Sequence, residues 1–480
     1  MMEGQNGYLT VYMALCMGVI LSLCLTLIEG ARRNGAAMEA SCVADIGIQS
    51  VFAEYHRQLL EQYNLFAIDS SYGTASPGSY NTEARLLYYL EKNLDLEDVF
   101  LVSFHYRDFL KLRVNGVQMT GVSILTDRGG AVFRRRAVEA VQDDIGLSAI
   151  TELTEWMEVI EVNGLDTAQT QQEKEAADKS IREYEYEDEE GELRVGVENP
   201  TTVLEEKRGL GILKLAVEDE DKLSKATLST SGLIYQRMKQ GKVSQGNLLS
   251  EETMWMEALT ERLLFQEYLL RYMSRYGQDE GKKALHYQIE YLVTGKENDI
   301  DNLRSVANRI CSLREAANAI YLWNNPAKNA EVELAAQAIG AALGLPAVAP
   351  VLKVTMILGW AYAESVYDVK TLLSGGRVPL MKDDTSWHYS LAAALSGELG
   401  ESAQGGYGMS YEDYLRVFMT LTDMDTLTGR AMNMVEVDIR MTEGNGAFCL
   451  DGCYDRMEFD IRMSSDFGYE YQLNRRWSYY

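Results

Sequence analysis

Cys449 and Cys453 are the two residues whose spacing most directly suggests chemistry. The segment FCLDGCY separates them by three residues, one of which is glycine, and so permits a small disulfide loop in an oxidising compartment. Two free thiols are the alternative. A metal site is disfavoured because no second pair of Cys or His residues lies nearby. The remaining cysteines are scattered along the chain and do not form a disulfide framework.

Catalytic and cofactor motifs are absent from the sequence. No histidine stands in a metal-binding spacing such as H-E-x-x-H, and no phosphate loop, dinucleotide fingerprint or nucleophile elbow occurs. Gly405, Gly406 and Gly408 are more typical of a loop than of a nucleotide site. Asp423 and Asp425 could form a carboxylate pair, but helix capping and solvation explain them equally well. We therefore predict no enzymatic activity, no cofactor and no bound metal.

An uncharged segment near the N-terminus determines how the rest of the chain is placed relative to a membrane. Residues 8–28 read YLTVYMALCMGVILSLCLTLI. As a helix this segment would be roughly 31 Å long, enough to cross the ~30 Å hydrocarbon core of a bilayer. The leader, residues 1–7, has no basic residue, and no A-x-A site follows the apolar run, so a cleaved secretory signal fits poorly. Two interpretations of the N-terminus remain. It is either an uncleaved signal anchor or a leader that is cut just before the helix.

The second interpretation rests on a resemblance to a known family. GYLTVYMAL at residues 7–15, followed by LIEGARR at residues 27–33, resembles the start of TadE/TadG-like minor pseudopilins. These proteins belong to the tight-adherence (Tad or Flp-type) branch of type IV pilus and related secretion systems. The resemblance implies cleavage between Gly7 and Tyr8 on the cytoplasmic side of the membrane.

The same resemblance implies a topology. Glu29, Arg32 and Arg33 would mark the exit of the helix from the membrane, with the bulk of the chain outside the cytoplasm. The positive-inside rule alone would instead hold the two arginines in the cytoplasm. The chain departs from the pilin pattern at the fifth mature position, where Tyr12 replaces the usual glutamate that pairs with a neighbouring subunit. We predict a single-pass protein of the cytoplasmic membrane with an extracytoplasmic bulk.

Two further motifs extend the resemblance. REAAN at residues 314–318 and GWAYAES at residues 359–365 resemble segments of a long, poorly characterised family of bacterial, membrane-anchored exported proteins found with such systems. This wider resemblance implies a biological context and no particular activity.

Net charge restricts the partners. The chain carries 72 acidic and 45 basic residues, giving a formal charge of −27. This balance argues against nucleic acid, which needs a basic footprint, and against adsorption of the chain to anionic lipid. The predicted partners are the bilayer, through residues 8–28, and the pilus or secretion-platform proteins that the resemblance implies.

The first half of the chain suggests a helix followed by an α/β head. Apolar residues continue at gaps of three and four, which predicts that residues 29–66 extend the membrane helix. Residues 82–170 form the predicted head. Within it, residues 109–125 contain Asn115-Gly116 between alternating runs, the signature of a two-residue β-hairpin. The acidic residues 183–199 are predicted to be an exposed linker.

The second half is predicted to be helical and then to return to strands. Residues 203–425 suggest a helical domain. Within it, residues 334–363 are apolar enough to span a membrane, but Gly and Pro divide them, which favours a buried helical hairpin. Alternating residues within 431–475 predict strands that join the hairpin at 109–125 in one sheet. The predicted fold class is α+β, mainly helical, with a small antiparallel sheet.

Three functional hypotheses are compatible with the sequence. The first is a membrane-anchored, extracytoplasmic structural protein that acts by assembly or tethering, as the resemblance implies. The second is an anchored cell-surface receptor for a polysaccharide or protein, with a tyrosine-rich surface. The third, an exported hydrolase, requires carboxylates brought together from distant parts of the chain.

Overall fold

A computed structural model of the chain describes residues 5–95, 110–142, 155–160, 167–187, 192–248, 258–278, 281–400 and 405–479. Helices dominate these residues, and a small antiparallel sheet and a separate strand pair accompany them. The predicted fold class, α+β and mainly helical, is therefore confirmed.

The α-helices within these ranges are numbered in chain order. They are α1 (Gln5–Phe52), α2 (Arg57–Tyr63), α3 (Ser79–Leu94), α4 (Asp127–Glu139), α5 (Thr167–Arg182), α6 (Thr202–Gly209), α7 (Ile212–Ala216), α8 (Ile234–Lys239), α9 (Ala258–Tyr272), α10 (Gln288–Thr294), α11 (Asp299–Asn324), α12 (Pro326–Ala342), α13 (Ala349–Leu373), α14 (Leu391–Ser396), α15 (Tyr411–Leu421) and α16 (Met424–Arg440). Residues 155–160 are also helical.

The strands of the described residues form one four-stranded sheet and one separate pair. They are β1 (Ile68–Asp69), β2 (Leu112–Ile124), β3 (Glu185–Glu187), β4 (Leu193–Val195), β5 (Cys453–Ser465) and β6 (Glu470–Ser478). Strand β5 is central: β2 pairs with it antiparallel from Leu112 opposite Ser465, and β6 pairs with it from Ser464 opposite Glu470. Strand β1 adds a short antiparallel contact, and β3 pairs with β4.

The chain divides into two compact units. The sheet unit comprises Met1–Arg136, Leu233–Trp255 and Val435–Tyr480, and the helical unit comprises Ala137–Gly232 and Met256–Met434. Each unit is therefore assembled from segments that are far apart in the sequence.

The core of the sheet unit forms where α1 lies against β5. One stripe of α1 is buried at helical spacing, and every second residue of β5 is buried beneath it. The stripe consists of Ala36, Ala40, Val43, Ala44, Ile48, Val51 and Phe52, and the strand contributes Met457, Phe459, Ile461 and Met463.

Helix α1 is shorter than the predicted extension over residues 29–66. It ends at Phe52, and a second helix, α2, begins at Arg57. His56 separates them because it has an extended backbone and its Nδ1 atom accepts a hydrogen bond from the Leu59 amide, as an N-cap does. The prediction of one unbroken helix was therefore wrong beyond Phe52.

The predicted hairpin at Asn115-Gly116 was also wrong. Residues 112–124 form one continuous strand along β5, with an irregularity in register between Val114 and Gly116. Asn115 occupies this bulge, where its side chain contacts the Ser464 hydroxyl at 2.9 Å. A long ladder with β5 outweighs the local preference of Asn-Gly for a turn. The predicted union of this segment with C-terminal strands is confirmed, and Phe109 lies outside the described residues.

Two other segments differ from their predicted form. In the predicted linker over 183–199, Glu185–Glu187 pairs with Leu193–Val195, so its described part contains a strand pair. Within the predicted C-terminal strands over 431–475, residues 431–440 belong to α16. Val435 and Ile439 are buried, but so are Glu436 and Asp438 between them, which does not fit the one-sided burial expected of an alternating strand. Strands β5 and β6 account for the later alternation.

The helical unit is built around α11 and α13, which pack side by side. The apolar region 334–363 forms parts of α12 and α13, joined by a short 3₁₀ turn at Pro346–Val348. Lys353 of α13 pairs with Glu333 of α12 at 3.0 Å, so the two helices lie against each other. Helix α13 is long and apolar enough to span a membrane, but two thirds of its apolar window is buried inside the protein.

Candidate functional site

The predicted membrane segment is the exposed half of α1. From Tyr8 to Ile28 almost every apolar side chain is exposed, and the most apolar window of the helix has none of its surface buried. Its length and composition are compatible with a membrane anchor. Gly7 and Tyr8, which flank the predicted cleavage site, both lie within the first turns of this helix. Residues 1–4 of the predicted leader lie outside the described residues.

The predicted exit residues lie where α1 first contacts the turn between β5 and β6. The Tyr469 hydroxyl donates a hydrogen bond to the Glu29 carboxylate, which raises the pKa of Tyr469. The guanidinium of Arg32 stacks over the Phe467 ring at 4.1 Å from its centroid and lies 3.6 Å from Glu29. These contacts join the exit of the helix to the turn between β5 and β6.

Further contacts continue along the same side of α1. The Tyr471 hydroxyl donates to the Arg33 backbone carbonyl at 3.1 Å. Further along the helix, Arg475 binds the Asp45 carboxylate at 2.6 Å and the Ser41 hydroxyl at 2.6 Å. Strand β6 therefore follows α1 from its exit residues towards the core. This arrangement fixes the direction of the exposed half of α1 relative to the sheet.

The cysteine pair lies at the start of β5, with Cys453 as the first residue of the strand. Both thiols are free in the structure. The Cys453 thiol is buried and lies 3.7 Å from the Cys449 carbonyl oxygen, and burial raises its pKa well above the ordinary value. Cys449 contacts the guanidinium of Arg440 at 3.3 Å. The disulfide stays a prediction, with the structure representing the reduced pair.

Four charged side chains form a buried cluster in the helical unit. It consists of Arg314 from α11, Glu364 and Asp368 from α13, and Lys382 from the segment that follows. Arg314 Nε donates to Asp368 Oδ2 at 2.9 Å, and Lys382 Nζ lies 2.6 Å from Asp368 Oδ1 and also pairs with Glu364. Although burial opposes it, the two cations hold the pKa of Asp368 below its ordinary value. The formal charges cancel within the cluster.

Asn318 also binds the cluster, since its side chain accepts from Arg314 at 3.0 Å and donates to Asp368 at 3.1 Å. Several further hydrogen bonds of the cluster go to the backbone of residues 379–389. Arg314 donates to the carbonyl oxygen of Pro379 at 2.9 Å. The Glu364 carboxylate accepts from the amides of His388 at 2.9 Å and Tyr389 at 3.0 Å. The cluster thus ties an irregular segment to two helices. Removing one partner would leave a buried charge uncompensated, which typically costs about 3–5 kcal/mol.

A cavity of about 260 Å³ adjoins this cluster. Aromatic side chains line it, and Lys382 and Asp368 also contribute to its wall. His388 stacks on Tyr367 with their centroids 3.9 Å apart. Because the charged groups already satisfy one another, the cavity offers aromatic faces to a ligand and no activated nucleophile or base among the described residues.

A second cavity, of about 730 Å³, lies beside α11 and α15. Arg304 and Arg309 line one wall, and Phe418 and Leu421 line the other. Asp301 binds Arg304 at 2.6 Å and so is already paired. Within the described part of this cavity, the arrangement lacks the hydrogen-bonded nucleophile and base that acyl or phosphoryl transfer would require.

The site residues predicted from the sequence do not form one common site. Glu29, Arg32 and Arg33 are brought together with aromatic residues of the turn after β5, whereas Cys449 and Cys453 lie at the start of that strand. No group of three potential metal ligands occurs among the residues that the structure describes.

Sequence reasoning missed the buried charge cluster, although a signal existed. Glu364 and Asp368 lie one helical turn apart in α13, which is otherwise largely apolar. Arg314 and Asn318 also lie one turn apart, in α11. Charged residues at such spacing within apolar segments indicate buried pairing. These residues fall in or near REAAN and GWAYAES, the two motifs that extend the resemblance.

The fold and these sites define a mainly helical α+β protein with a long, apolar N-terminal helix. Residues 190–465 match the model of a family of unknown function, DUF5702, and the chain belongs to this family. The matched region contains most of the helical unit and strand β5, and it begins after α1. No curated protein and no solved structure shows significant similarity to the chain.

Proposed function

We propose that this protein is a membrane-anchored, extracytoplasmic structural component that acts by assembly or tethering, in the manner of a minor pseudopilin of a Tad or Flp-type pilus or related secretion system. The exposed half of α1 would lie in the cytoplasmic membrane, with the rest of the chain beyond it outside the cytoplasm. The family match assigns no activity, so this role rests on the physical character of α1 and on the resemblance of residues 7–33.

The division of α1 into two halves is the observation that carries the proposal. Residues 8–28 expose a continuous apolar surface, whereas the later stripe from Ala36 to Phe52 is buried against the sheet. A large exposed apolar surface is unfavourable in water and favourable in hydrocarbon. One helix that is half in lipid and half in the core of a head is the plan of pilin-like proteins. This arrangement suits a protein that holds an assembly at a fixed place relative to the membrane.

Topology and processing can be tested together. N-terminal sequencing of the protein purified from its host should give a mature start at Tyr8, and protease added to whole cells should digest the bulk of the chain. An intact Met1 would leave an ordinary anchor in place of pilin-type processing. Digestion only after lysis would overturn the extracytoplasmic location.

The assembly role needs a test of its own. A tagged full-length chain, extracted in mild detergent, should co-purify with the major pilin or the platform protein of the same system. A matched variant, Arg475→Ala, removes the contact with Asp45 and should weaken this co-purification if the direction of α1 matters. Normal pilus assembly in a clean deletion strain would argue strongly against the role.

The aromatic lining of the smaller cavity favours a second candidate, an anchored receptor for a polysaccharide. Trp387, His388, Tyr367 and Tyr407 all line it, and aromatic faces are suited to sugar rings. Purified protein would then retain a host polysaccharide, and Trp387→Ala would abolish retention while leaving assembly intact. Co-purification with pilus proteins without any retained polysaccharide would favour the first candidate.

A further inference from the structure

We propose that the turn between β5 and β6, residues 466–469, is a second membrane contact that places the Phe467 side chain among lipid headgroups beside α1. Residues 466–469 are called the interfacial turn below. The inference rests on the proposed insertion of α1 and adds a second site at which the protein meets the bilayer. Its partner is the lipid surface around the anchor.

The depth of the turn follows from the helix. The apolar segment ends at Ile28, and a helix rises about 1.5 Å per residue, so Arg32 lies roughly 6 Å beyond the hydrocarbon. The headgroup layer on each side of a bilayer is about 5–8 Å thick. Phe467 stacks against Arg32 at 4.1 Å, and Tyr469 binds Glu29. The interfacial turn therefore lies at the level of the headgroups when residues 8–28 span the bilayer.

The backbone of the turn is prepared for a poorly hydrated environment. The Asp466 amide donates to the Lys111 carbonyl at 3.2 Å, and the Phe467 amide donates to the Ser465 hydroxyl at 3.3 Å. The Gly468 amide donates to the Ser465 carbonyl at 2.9 Å. Its φ of +84° explains the glycine at this position. Unpaired backbone groups are costly near lipid, and these amides are paired.

The side chains of the turn also suit the interface. Phe467 remains 40% exposed despite its contact with Arg32. The Asp466 carboxylate is compensated by Arg113 at 2.8 Å and by Lys111 at 3.9 Å, so an acidic group does not face the lipid unpaired. Tyr side chains are enriched at membrane interfaces, and Phe together with Lys and Arg is typical of segments that lie there.

A purely structural role is the competing interpretation of Phe467. The ring could serve only to shield Arg32, in which case it would face water at a distance from the lipid. The two roles differ in one measurable quantity, which is the proximity of residue 467 to lipid chains.

The test uses the full chain in phosphatidylcholine vesicles with and without brominated acyl chains, which quench tryptophan fluorescence on contact. The variant Phe467→Trp adds a reporter in the turn. Tyr80→Trp is the matched control, because Tyr80 is 78% exposed on α3, whose contacts with α1 lie far beyond the exit residues. The wild-type signal, measured in the same vesicles, is subtracted to remove the native tryptophans. Flotation of the vesicles measures insertion of α1 independently.

We expect brominated lipid to reduce the added emission of Phe467→Trp at least twofold and to leave that of Tyr80→Trp unchanged. Flotation with no quenching at residue 467 would overturn this inference and leave the anchor standing. Quenching at both positions would also overturn it, since contact would then not be specific to the turn. Failure to float would overturn the anchor, and this inference with it.

Discussion

The carboxyl group of Glu290 is the clearest case in which burial changes the chemistry of a single residue. It is fully buried in the helical unit, and burial raises its pKa to about 7, although hydrogen bonds from Tyr411 and Tyr276 oppose the shift. The Tyr411 hydroxyl and the Tyr276 amide both donate to Oε1, at 2.7 and 2.9 Å. Its other oxygen, Oε2, is buried without a hydrogen-bond partner among the described residues. This environment favours the protonated acid.

The raised pKa of Glu290 predicts that the free energy of unfolding falls as pH rises. The folded state binds the proton more tightly than the unfolded state, so the stabilisation is complete below the unfolded pKa of 4.5 and is lost as pH rises through about 7. A pKa difference of about 2.5 corresponds to roughly 3 kcal/mol. Glu290→Gln, which cannot ionise, should flatten this part of the pH dependence when urea unfolding is compared at pH 5 and pH 8.

A matched control comes from the surface of the same unit. Glu331 is exposed on α12, so Glu331→Gln should leave the pH dependence of unfolding as it is in the wild type. If Glu290→Gln and wild type lost equal stability between pH 5 and pH 8, the buried carboxyl would not be the source of the effect.

Among the elements, β2 shows how a long-range ladder overrides a local turn signal. Asn115-Gly116 satisfies every local criterion for a two-residue hairpin, and neither residue takes the positive φ that such a turn requires. The partner strand, β5, lies more than 300 residues away in the sequence, so no local pattern could reveal it. The strand character of the segment was predictable, whereas its straight course was not.

This difference between a hairpin and a straight strand can be tested with two glycines. In a hairpin Gly116→Ala would be costly, but in the strand its added Cβ would have only the Arg462 guanidinium nearby, at 3.8 Å. We expect Gly116→Ala to be neutral or to stabilise by up to about 1 kcal/mol. Gly121→Ala, in the same strand, would place its Cβ 2.4 Å from the Leu248 side chain and should be destabilising. Thermal unfolding of the two variants gives the order; a larger loss for Gly116→Ala would support the hairpin.

The contrast between local signals and long-range contacts also shows which parts of the candidate site could be predicted from the sequence. Hydropathy alone indicates residues 8–28, because an uncharged apolar run of bilayer length is typical of a membrane helix. The spacing of Val435 and Ile439 fits both a strand and a helix. The structure shows a helix, in which the intervening Glu436 is also buried and pairs with Arg237. The sequence does not reveal this distant partner. The pairing of Glu29 with Tyr469 joins opposite ends of the chain, so the sequence predicts each residue but not the contact.

At the scale of the whole molecule, the N-terminal helix serves two separate purposes. Its first part, residues 8–28, lies outside the core, whereas Ala36, Ala40, Ile48 and Val51 are buried in it. The anchor and the head therefore share one helix but depend on different residues. The family match begins at residue 190, so the sheet unit combines a helix outside the match with a strand inside it.

This division predicts that two truncations will behave differently. Removing residues 1–28 takes away exposed apolar surface, so the remaining chain should stay in solution without detergent and keep the amide-exchange protection of β5. Removing residues 1–52 also removes the buried stripe. Full burial of one large apolar side chain contributes about 1.5–3 kcal/mol, so losing Val43, Ile48, Val51 and Phe52 removes about 6–12 kcal/mol, which is comparable to the whole stability of a typical domain. We expect this shorter chain to lose protection across β5 and to aggregate. Equal protection of β5 in both truncations would show that the sheet does not need α1, and detergent dependence of the first would show that apolar surface beyond residue 28 also requires the membrane.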